Sequence, residues 1–305
     1  MALKLLDLIF LTRPILLIPV WTIFLHSHAS GAGTAYFQLW PQPDGLIALL
    51  SLTLIAMGAY VLNQIFDIAT DLANDKLFIL SRGIVSRRAA WVCFVLLTLG
   101  GIAVASLFLA SPLMIGMAWA LGLMGILYSA PGIRLKDRPV WGLVVNALAY
   151  GILVPLSAWP NLSWSQAPLA TGPYILAVAA AYVMTTIPDL KGDAAAGKRT
   201  MAVRLGSRPS LYLASGLAGA CAAVSAFGHN WDMTMVALVT ILLIGAGQMP
   251  ARGLAAASMS KIPILLLTVL TGMFFPLYFA VVLLTIVLTK AYYKSRFGII
   301  YPRIR

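Results

Sequence analysis

Carboxylates at helical spacing are the residues of this chain best suited to chemistry. All nine acidic residues are aspartates, and Asp67 and Asp71 end an apolar run, with Asn63 four positions earlier. Residues four apart stack on one face of a helix, where like charges repel each other. Asp189 and Asp193 repeat this spacing after another apolar run. Such a face beside lipid needs a cation to offset the repulsion.

Mg²⁺ is the cation that this pattern predicts. Carboxylate oxygens suit hard cations, and a few carboxylates together with substrate phosphates are the usual arrangement for Mg²⁺. Nearby lysines and arginines would add direct contacts to a bound diphosphate. The alternative interpretation is that the aspartates are solvated loop residues or salt-bridge partners of the basic loops.

Long apolar helices must carry these residues to the edge of a membrane. The chain has 305 residues, of which 61% are hydrophobic and 10% charged, whereas soluble proteins carry roughly 25% charged residues. Irregular backbone is not tolerated against lipid, so the sequence predicts an all-α membrane protein. We expect a single domain over residues 1–305, because no linker divides the chain. Nine transmembrane helices are predicted, near residues 5–26, 45–66, 89–110, 112–130, 140–159, 168–188, 210–228, 232–249 and 263–289.

The basic residues predict the orientation of these helices. The net charge is +12, and lysines and arginines concentrate in the loops that follow the even-numbered helices. Basic loops stay in the cytoplasm, so both aspartate motifs are expected to face it, in the inner membrane if the chain is prokaryotic. Nucleic acid is a poor explanation of this charge. Nine spans would place the C-terminal tail, with Lys290, Lys294 and Arg296, on the opposite side, against the charge rule.

The two aspartate motifs also suggest a repeated architecture. Each motif ends an even-numbered helix, the two helices are four apart, and a basic loop containing glycine follows each one. This spacing predicts two four-helix halves and a last helix.

Four segments together resemble the UbiA superfamily of intramembrane prenyltransferases. The run "NQIFDIATD" is similar to the first aspartate motif of that family, and "PDLKGDAAAGKRTMAVRLG" is similar to the second. The run "TRPILL" resembles the Arg-Pro of its first helix, and "LYSAPGIRLK" resembles its Tyr-Ser-x-Pro segment. The four runs occur in family order and span most of the chain.

The resemblance implies a bundle of nine helices with a central cavity open to the bilayer. It implies transfer of a prenyl group from a polyprenyl diphosphate to an aromatic or other lipophilic acceptor, with membrane lipid as the surroundings. Asn63, Asp67 and Asp71 match the first motif, and Asp189 and Asp193 match the second. Both sets would hold Mg²⁺, two ions in all, together with the diphosphate.

The resemblance also assigns roles to residues outside the two motifs. Lys136 matches the basic position after the Tyr-Ser segment and would contact the diphosphate, and Tyr128 would line the site. Arg134 and Lys198, in the basic loops near the motifs, are further candidates for binding the diphosphate.

One departure from the family pattern follows the first motif. Many members carry Arg-Pro where this chain has Phe78 and Ile79, and the run "NDKLFILSRGIVS" is closer to the homogentisate-type branch. Lys76 or Arg82 would then supply the missing positive charge. The family pattern gives Asp75 no metal role, so we expect a solvated loop residue there.

Several polar residues inside the predicted helices have two interpretations. Arg13 either contacts substrate or extends its charge to the cytoplasmic face. Asn146 either fixes helix packing or touches the acceptor. The histidines at positions 26, 28 and 229 are expected to be interfacial and away from the chemistry.

Two other functions stay open at this point. The same superfamily includes terpene cyclases, in which the prenyl cation closes on itself. A secondary transporter would also use aspartates as cation sites, but those should lie near the middle of the bilayer. The sequence leaves the acceptor, the donor length and the oligomeric state open.

Overall fold

All the secondary-structure elements in the described part of the chain are helices. The structure is a computed structural model, and it describes residues 2–73, 78–159, 163, 165–195, 197–247 and 256–301. The α-helices are α1 Ala2–Leu11, α2 Leu17–Ala32, α3 Pro43–Ala73, α4 Phe78–Ser81, α5 Arg87–Phe108, α6 Pro112–Ser129, α7 Pro139–Leu148, α8 Val154–Leu156, α9 Ala167–Thr186, α10 Leu190–Ala195, α11 Met201–Leu205, α12 Ser207–Phe227, α13 Trp231–Gly247, α14 Ala256–Phe274 and α15 Pro276–Phe297.

The prediction of an all-α membrane protein is confirmed. Within the described residues, eight helical stretches are long and apolar enough to cross a membrane, the first being Lys4–Gly31. Two shorter apolar helices, Trp231–Gly247 and Met259–Phe274, accompany them. A span needs about 20 apolar residues, so the protein is an integral membrane protein. The central cavity and the single domain stay predictions, and the count of nine helices is not confirmed.

The predicted last helix over 263–289 is wrong, because the structure has two helices there. α14 ends at Phe274 and α15 begins at Pro276. A Cβ atom added to Gly272 would lie 3.1 Å from Cβ of Phe279, whereas residues seven apart in one straight helix are separated by about 10 Å. The chain therefore turns back sharply at Phe275. Pro276 fits the first position of the new helix, where no amide hydrogen is needed.

The end of the last helix packs against the first helix. Asp7 of α1 is buried and accepts a hydrogen bond from the hydroxyl of Tyr292 at 2.6 Å. Arg296 donates to the same carboxylate through Nε at 3.1 Å and Nη2 at 3.2 Å. The C-terminal end of α15 thus lies beside α1, on the side where the chain begins. The tail therefore shares the side of the N-terminus, which removes the conflict between its basic residues and the charge rule.

Two compact units divide the chain. The first comprises Met1–Trp21, Gln42–Arg134 and Ala280–Arg303, and the second comprises Thr22–Pro41, Leu135–Phe279 and Ile304–Arg305. The first aspartate motif belongs to the first unit, and the second motif belongs to the second. The two units therefore differ from the predicted four-helix halves. The first predicted helix is divided between the units, and so is the final pair of helices.

Small residues set the packing of α3, the helix that carries the first motif. Gly101 of α5 packs so closely on α3 that an added Cβ would lie 2.7 Å from the carbonyl oxygen of Ser51. The Ser51 hydroxyl donates to the Gly101 carbonyl at 2.8 Å, and Gly58 of α3 lies against Thr98 of α5. Close approach at small residues is the usual way that helices associate in lipid. The position of α3 is thereby fixed within the first unit.

Candidate active site

The carboxylate face of the first motif lies within α3. The sequence placed the end of this helix near residue 66, but α3 continues to Ala73. Asn63, Asp67 and Asp71 therefore share one face of a continuous helix, and all three are half-buried. The predicted stacking of these side chains is consistent with the backbone.

Arg134 pairs with the central carboxylate of this face. Its Nη2 atom donates to Oδ1 of Asp67 at 3.3 Å. The Asp67 side chain is 13% exposed and that of Arg134 is 33% exposed. Arg134 sits on the turn that follows α6, with φ of 37°, and Gly132 of the same turn has φ of 88°. The amide of Arg134 donates to the carbonyl of Ala130 at 2.9 Å. A tight turn thus directs the guanidinium group of Arg134 to Asp67, a predicted metal ligand.

Ser129 supports the amide of the first motif. The Nδ2 atom of Asn63 donates to the Ser129 hydroxyl oxygen at 3.3 Å, and Ser129 is almost fully buried. Tyr128 is half-buried beside it, at the end of α6. The sequence did not single out Ser129, although it lies in the run that resembles the Tyr-Ser segment.

The second motif forms one helical turn in the second unit. The amide of Asp193 donates to the carbonyl of Asp189 at 2.8 Å, so the four-residue spacing has the helical geometry that was expected. Asp189 is exposed, whereas the Asp193 side chain is 15% exposed. The Nζ atom of Lys198 lies 3.8 Å from Oδ1 of Asp193, and the amide of Lys198 donates to the Asp193 carbonyl at 2.9 Å. Lys198 therefore closes the loop onto this motif.

Lys136 is a buried cation next to that loop. It lies in the short 3₁₀ helix Leu135–Asp137 and is only 8% exposed. The amide of Arg199, directly after Lys198, donates to the carbonyl of Asp137 at 3.2 Å. This bond ties the segment bearing Lys136 to the loop of the second motif. A lysine is rarely buried unless it has a partner.

Arg13 occupies a break between α1 and α2. Its backbone is in the left-handed region, with φ of 56° and ψ of 61°. The residue is half-buried, and its Nε atom has no hydrogen-bond partner among the described residues. Substrate contact and extension to the membrane face both stay predictions for this residue.

The remaining predicted residues are Asn146, Arg82 and Lys76. The Nδ2 atom of Asn146 donates to the carbonyl of Gly142 on its own helix at 2.8 Å. Arg82 is exposed after α4, and Lys76 lies outside the described residues, as does Asp75.

Two of the histidines that were expected to be interfacial are buried among protein groups. His26 is fully buried, with Nδ1 2.6 Å from the Tyr174 hydroxyl and Nε2 3.2 Å from Oδ2 of Asp232. His28 is also buried and contacts the carbonyl of Ala158 through Nδ1 at 3.0 Å. These side chains join segments of the second unit and belong to its core.

The donor set fits a metal ion that is bound partly by protein carboxylates and partly by the oxygens of a diphosphate. Within the described ranges, no group of three or more His, Cys, Asp or Glu side chains could hold an ion alone. The aspartate motif of each unit instead has a partly buried carboxylate beside a cation, Asp67 in the first unit and Asp193 in the second. Mg²⁺ is usually bound by one or two carboxylates plus substrate phosphates, so both motifs have suitable chemistry.

These observations define a class of protein. It is an integral membrane protein of α-helices, with two aspartate motifs at helix ends and a basic residue at each. Such sites suit an anionic substrate group bound through a divalent cation.

Comparison with known proteins identifies the family. The model of the UbiA prenyltransferase family matches residues 17–257, and the chain belongs to this family. A digeranylgeranylglyceryl phosphate synthase of Methanoregula boonei is 31% identical over 211 residues, which cover 66% of this chain and 73% of that protein. A probable homogentisate phytyltransferase of Oryza sativa is 29% identical, over 57% of this chain and 47% of the plant protein.

A solved structure has the same fold. A UbiA homologue from Archaeoglobus fulgidus, bound to GPP and Mg²⁺, matches with a TM-score of 0.68 and 19% identity, over 90% of this chain and 99% of that one. The relatives come from branches with different acceptors, so their similarity does not select an acceptor for this protein.

Proposed function

We propose that this protein is a Mg²⁺-dependent prenyltransferase that moves a prenyl group from a polyprenyl diphosphate to a lipophilic acceptor. The observation that carries this proposal is the α3 face, where Asn63 and Asp67 lie one turn apart and Arg134 bonds to Asp67 at 3.3 Å. Family membership and the diphosphate-bound relative support the same reaction.

The reaction begins with cleavage of the allylic C–O bond. The electron pair leaves with the diphosphate, and a carbocation-like prenyl group remains. The acceptor supplies the electron pair of the new bond and then loses a proton. Arg134, Lys136 and Lys198 stabilise the negative charge that builds up on the departing diphosphate. Arg13 is a fourth candidate for this role, and Tyr128 offers an aromatic face to the cation.

The aspartates hold the metal in this proposal. When bound, Mg²⁺ neutralises charge on the diphosphate. Asp67 and Asp71, with the Asn63 side chain, would bind one ion, and Asp189 and Asp193 would bind a second. Both motifs are required for turnover.

The rest of the proposal concerns the domain, its side of the membrane and the acceptor. Residues 1–305 act as a single functional domain within the membrane, in contact with lipid. The basic loops support a cytoplasmic location of the aspartate motifs. The run after the first motif favours an aromatic acceptor.

Diphosphate release from purified protein tests the reaction. Geranyl, geranylgeranyl and longer diphosphates are supplied with an aromatic or glycerol-phosphate lipid acceptor, with Mg²⁺ or with a chelator. The variants Asp67→Asn and Asp193→Asn should each lower the rate by at least about a hundredfold, as loss of a major electrostatic group does. Asp44→Asn is the matched control, because Asp44 is an exposed aspartate in the first turn of α3.

The outcomes are separable. Wild-type protein that releases no diphosphate from any donor, or rates that the two motif variants leave unchanged, would refute the proposal. Release of a cyclic hydrocarbon or alcohol without any acceptor would replace the transferase by a terpene cyclase.

A further inference from the structure

The break between α1 and α2, at Arg13, is held in place by contacts within the first unit. Proline disfavours helical geometry in the residue before it, and Arg13 precedes Pro14. Arg13 adopts a left-handed conformation that residues other than glycine rarely take. Such a conformation persists only where neighbouring groups hold it in place.

Two side chains of α3 hold this break from either side. The Nε2 atom of Gln64 donates to the carbonyl of Leu11 at 2.6 Å, and Gln64 is only 2% exposed. The hydroxyl of Tyr60 donates to the carbonyl of Leu16 at 2.9 Å. The two carbonyl groups flank Arg13, two residues before it and three residues after it. Gln64 and Tyr60 are four apart, so they act from one face of α3.

The same helix carries the first aspartate motif. Gln64 directly follows Asn63, and Asp67 lies one turn further along α3. The hydrogen bonds from Gln64 and Tyr60 therefore fix the backbone around Arg13 to α3, the helix that carries the predicted metal ligands. The Nε atom of Arg13 is buried and has no hydrogen-bond partner among the described residues. An arginine placed in this way has donor capacity available for an anionic ligand.

We infer that Gln64 and Tyr60 are positioning residues, which hold the left-handed backbone at Arg13 so that its guanidinium group contacts the diphosphate. The inference rests on the proposed function. Neither residue touches the substrate in this account. Gln64 acts through Arg13 by a hydrogen bond to the Leu11 carbonyl, and Tyr60 acts by a hydrogen bond to the Leu16 carbonyl.

A double-mutant cycle on the full chain tests this coupling. Gln64→Met preserves volume and removes the amide donor. Arg13→Gly removes the guanidinium group and keeps the left-handed backbone free of strain. The readout is kcat/KM for geranylgeranyl diphosphate in the wild type, both single variants and the double variant. Gln166→Met, at an exposed position, is the matched control.

A positioning role and a merely structural role give different results. We expect Gln64→Met to lower kcat/KM by about tenfold, the upper range for one lost hydrogen bond. In the Arg13→Gly background the same substitution should change kcat/KM less than about twofold, because coupled residues are not additive. Equal effects of Gln64→Met in both backgrounds would overturn the inference. Tyr60→Phe should give the same pattern with a smaller loss.

Hydrogen exchange separates failure of this inference from failure of the proposed function. Wild-type protein without turnover refutes the prenyltransferase, whatever Gln64 does. Independently, Gln64→Met should speed amide exchange in residues 11–17, since the break loses one of its two supports. Unchanged exchange in that segment would overturn the positioning role by itself.

Discussion

Two adjacent glycines of α5 offer a sharp test of how α3 is held. A Cβ atom at Gly101 would lie 2.7 Å from the Ser51 carbonyl oxygen and 2.8 Å from Cγ1 of Ile55. A Cβ atom at Gly100 would meet no heavy atom within 4 Å in the described structure. Both replacements by alanine raise helix propensity equally, by about 1 kcal/mol. The difference between Gly101→Ala and Gly100→Ala therefore isolates the steric cost of separating α5 from α3.

The magnitude follows from the overlap and the chain length. Overpacking of this kind costs about 1–3 kcal/mol. An unfolding entropy of about 2.1 cal/mol/K per residue gives about 0.6 kcal/mol/K for 305 residues. Gly101→Ala should therefore melt about 2–5 °C below Gly100→Ala.

Thermal unfolding of the purified protein in one detergent, followed by tryptophan fluorescence, measures both variants side by side. Equal melting temperatures would show that α3 and α5 do not pack at the distance described. The diphosphate-release rate of Gly101→Ala should also fall relative to Gly100→Ala, because α3 carries Asp67.

Three further predictions concern other parts of the molecule. Asp7→Asn weakens the bonds from Tyr292 and Arg296 and should cost about 1–3 kcal/mol of stability; a melting temperature equal to that of the wild type would contradict this. Tyr174→Phe removes the hydroxyl that contacts His26 and should lower stability by about 1 kcal/mol, without changing the activity per folded molecule in the release assay. Chelation of Mg²⁺ should abolish diphosphate release, and added Mg²⁺ should restore it; persistence of activity under chelation would exclude the proposed cofactor.

Local spacing was the part of the site that could be predicted from sequence. Four-residue intervals placed Asn63, Asp67 and Asp71 on one face, since the helical period alone decides this. The partners of these residues were harder to foresee. Ser129 reaches Asn63 from 66 positions away, and no local pattern encodes that pairing.

The errors in the predicted fold have physical causes. Hydropathy over 263–289 is continuous, so the reversal at Phe275 does not show in the apolar pattern. Pro276 and the charge conflict of the C-terminal tail were the available signs of that reversal. His26 was misplaced because its partners, Tyr174 and Asp232, are 148 and 206 positions away in the sequence.

The ion pair between Asp7 and Arg296 has a consequence for the order in which the helices pack during synthesis. The first unit contains the start of the chain and most of α15, whereas nearly all of the second unit lies between them in sequence. A ribosome releases α15 only after α1 and nearly all of the second unit have been made. The second unit can therefore complete its packing during synthesis. Meanwhile Asp7 and Phe10 of α1 lack the partners that α15 supplies, since the ring of Phe10 stacks on that of Tyr292 with centroids 3.8 Å apart. Premature termination would leave the earliest helix, which leads directly to Arg13, without its closing partner.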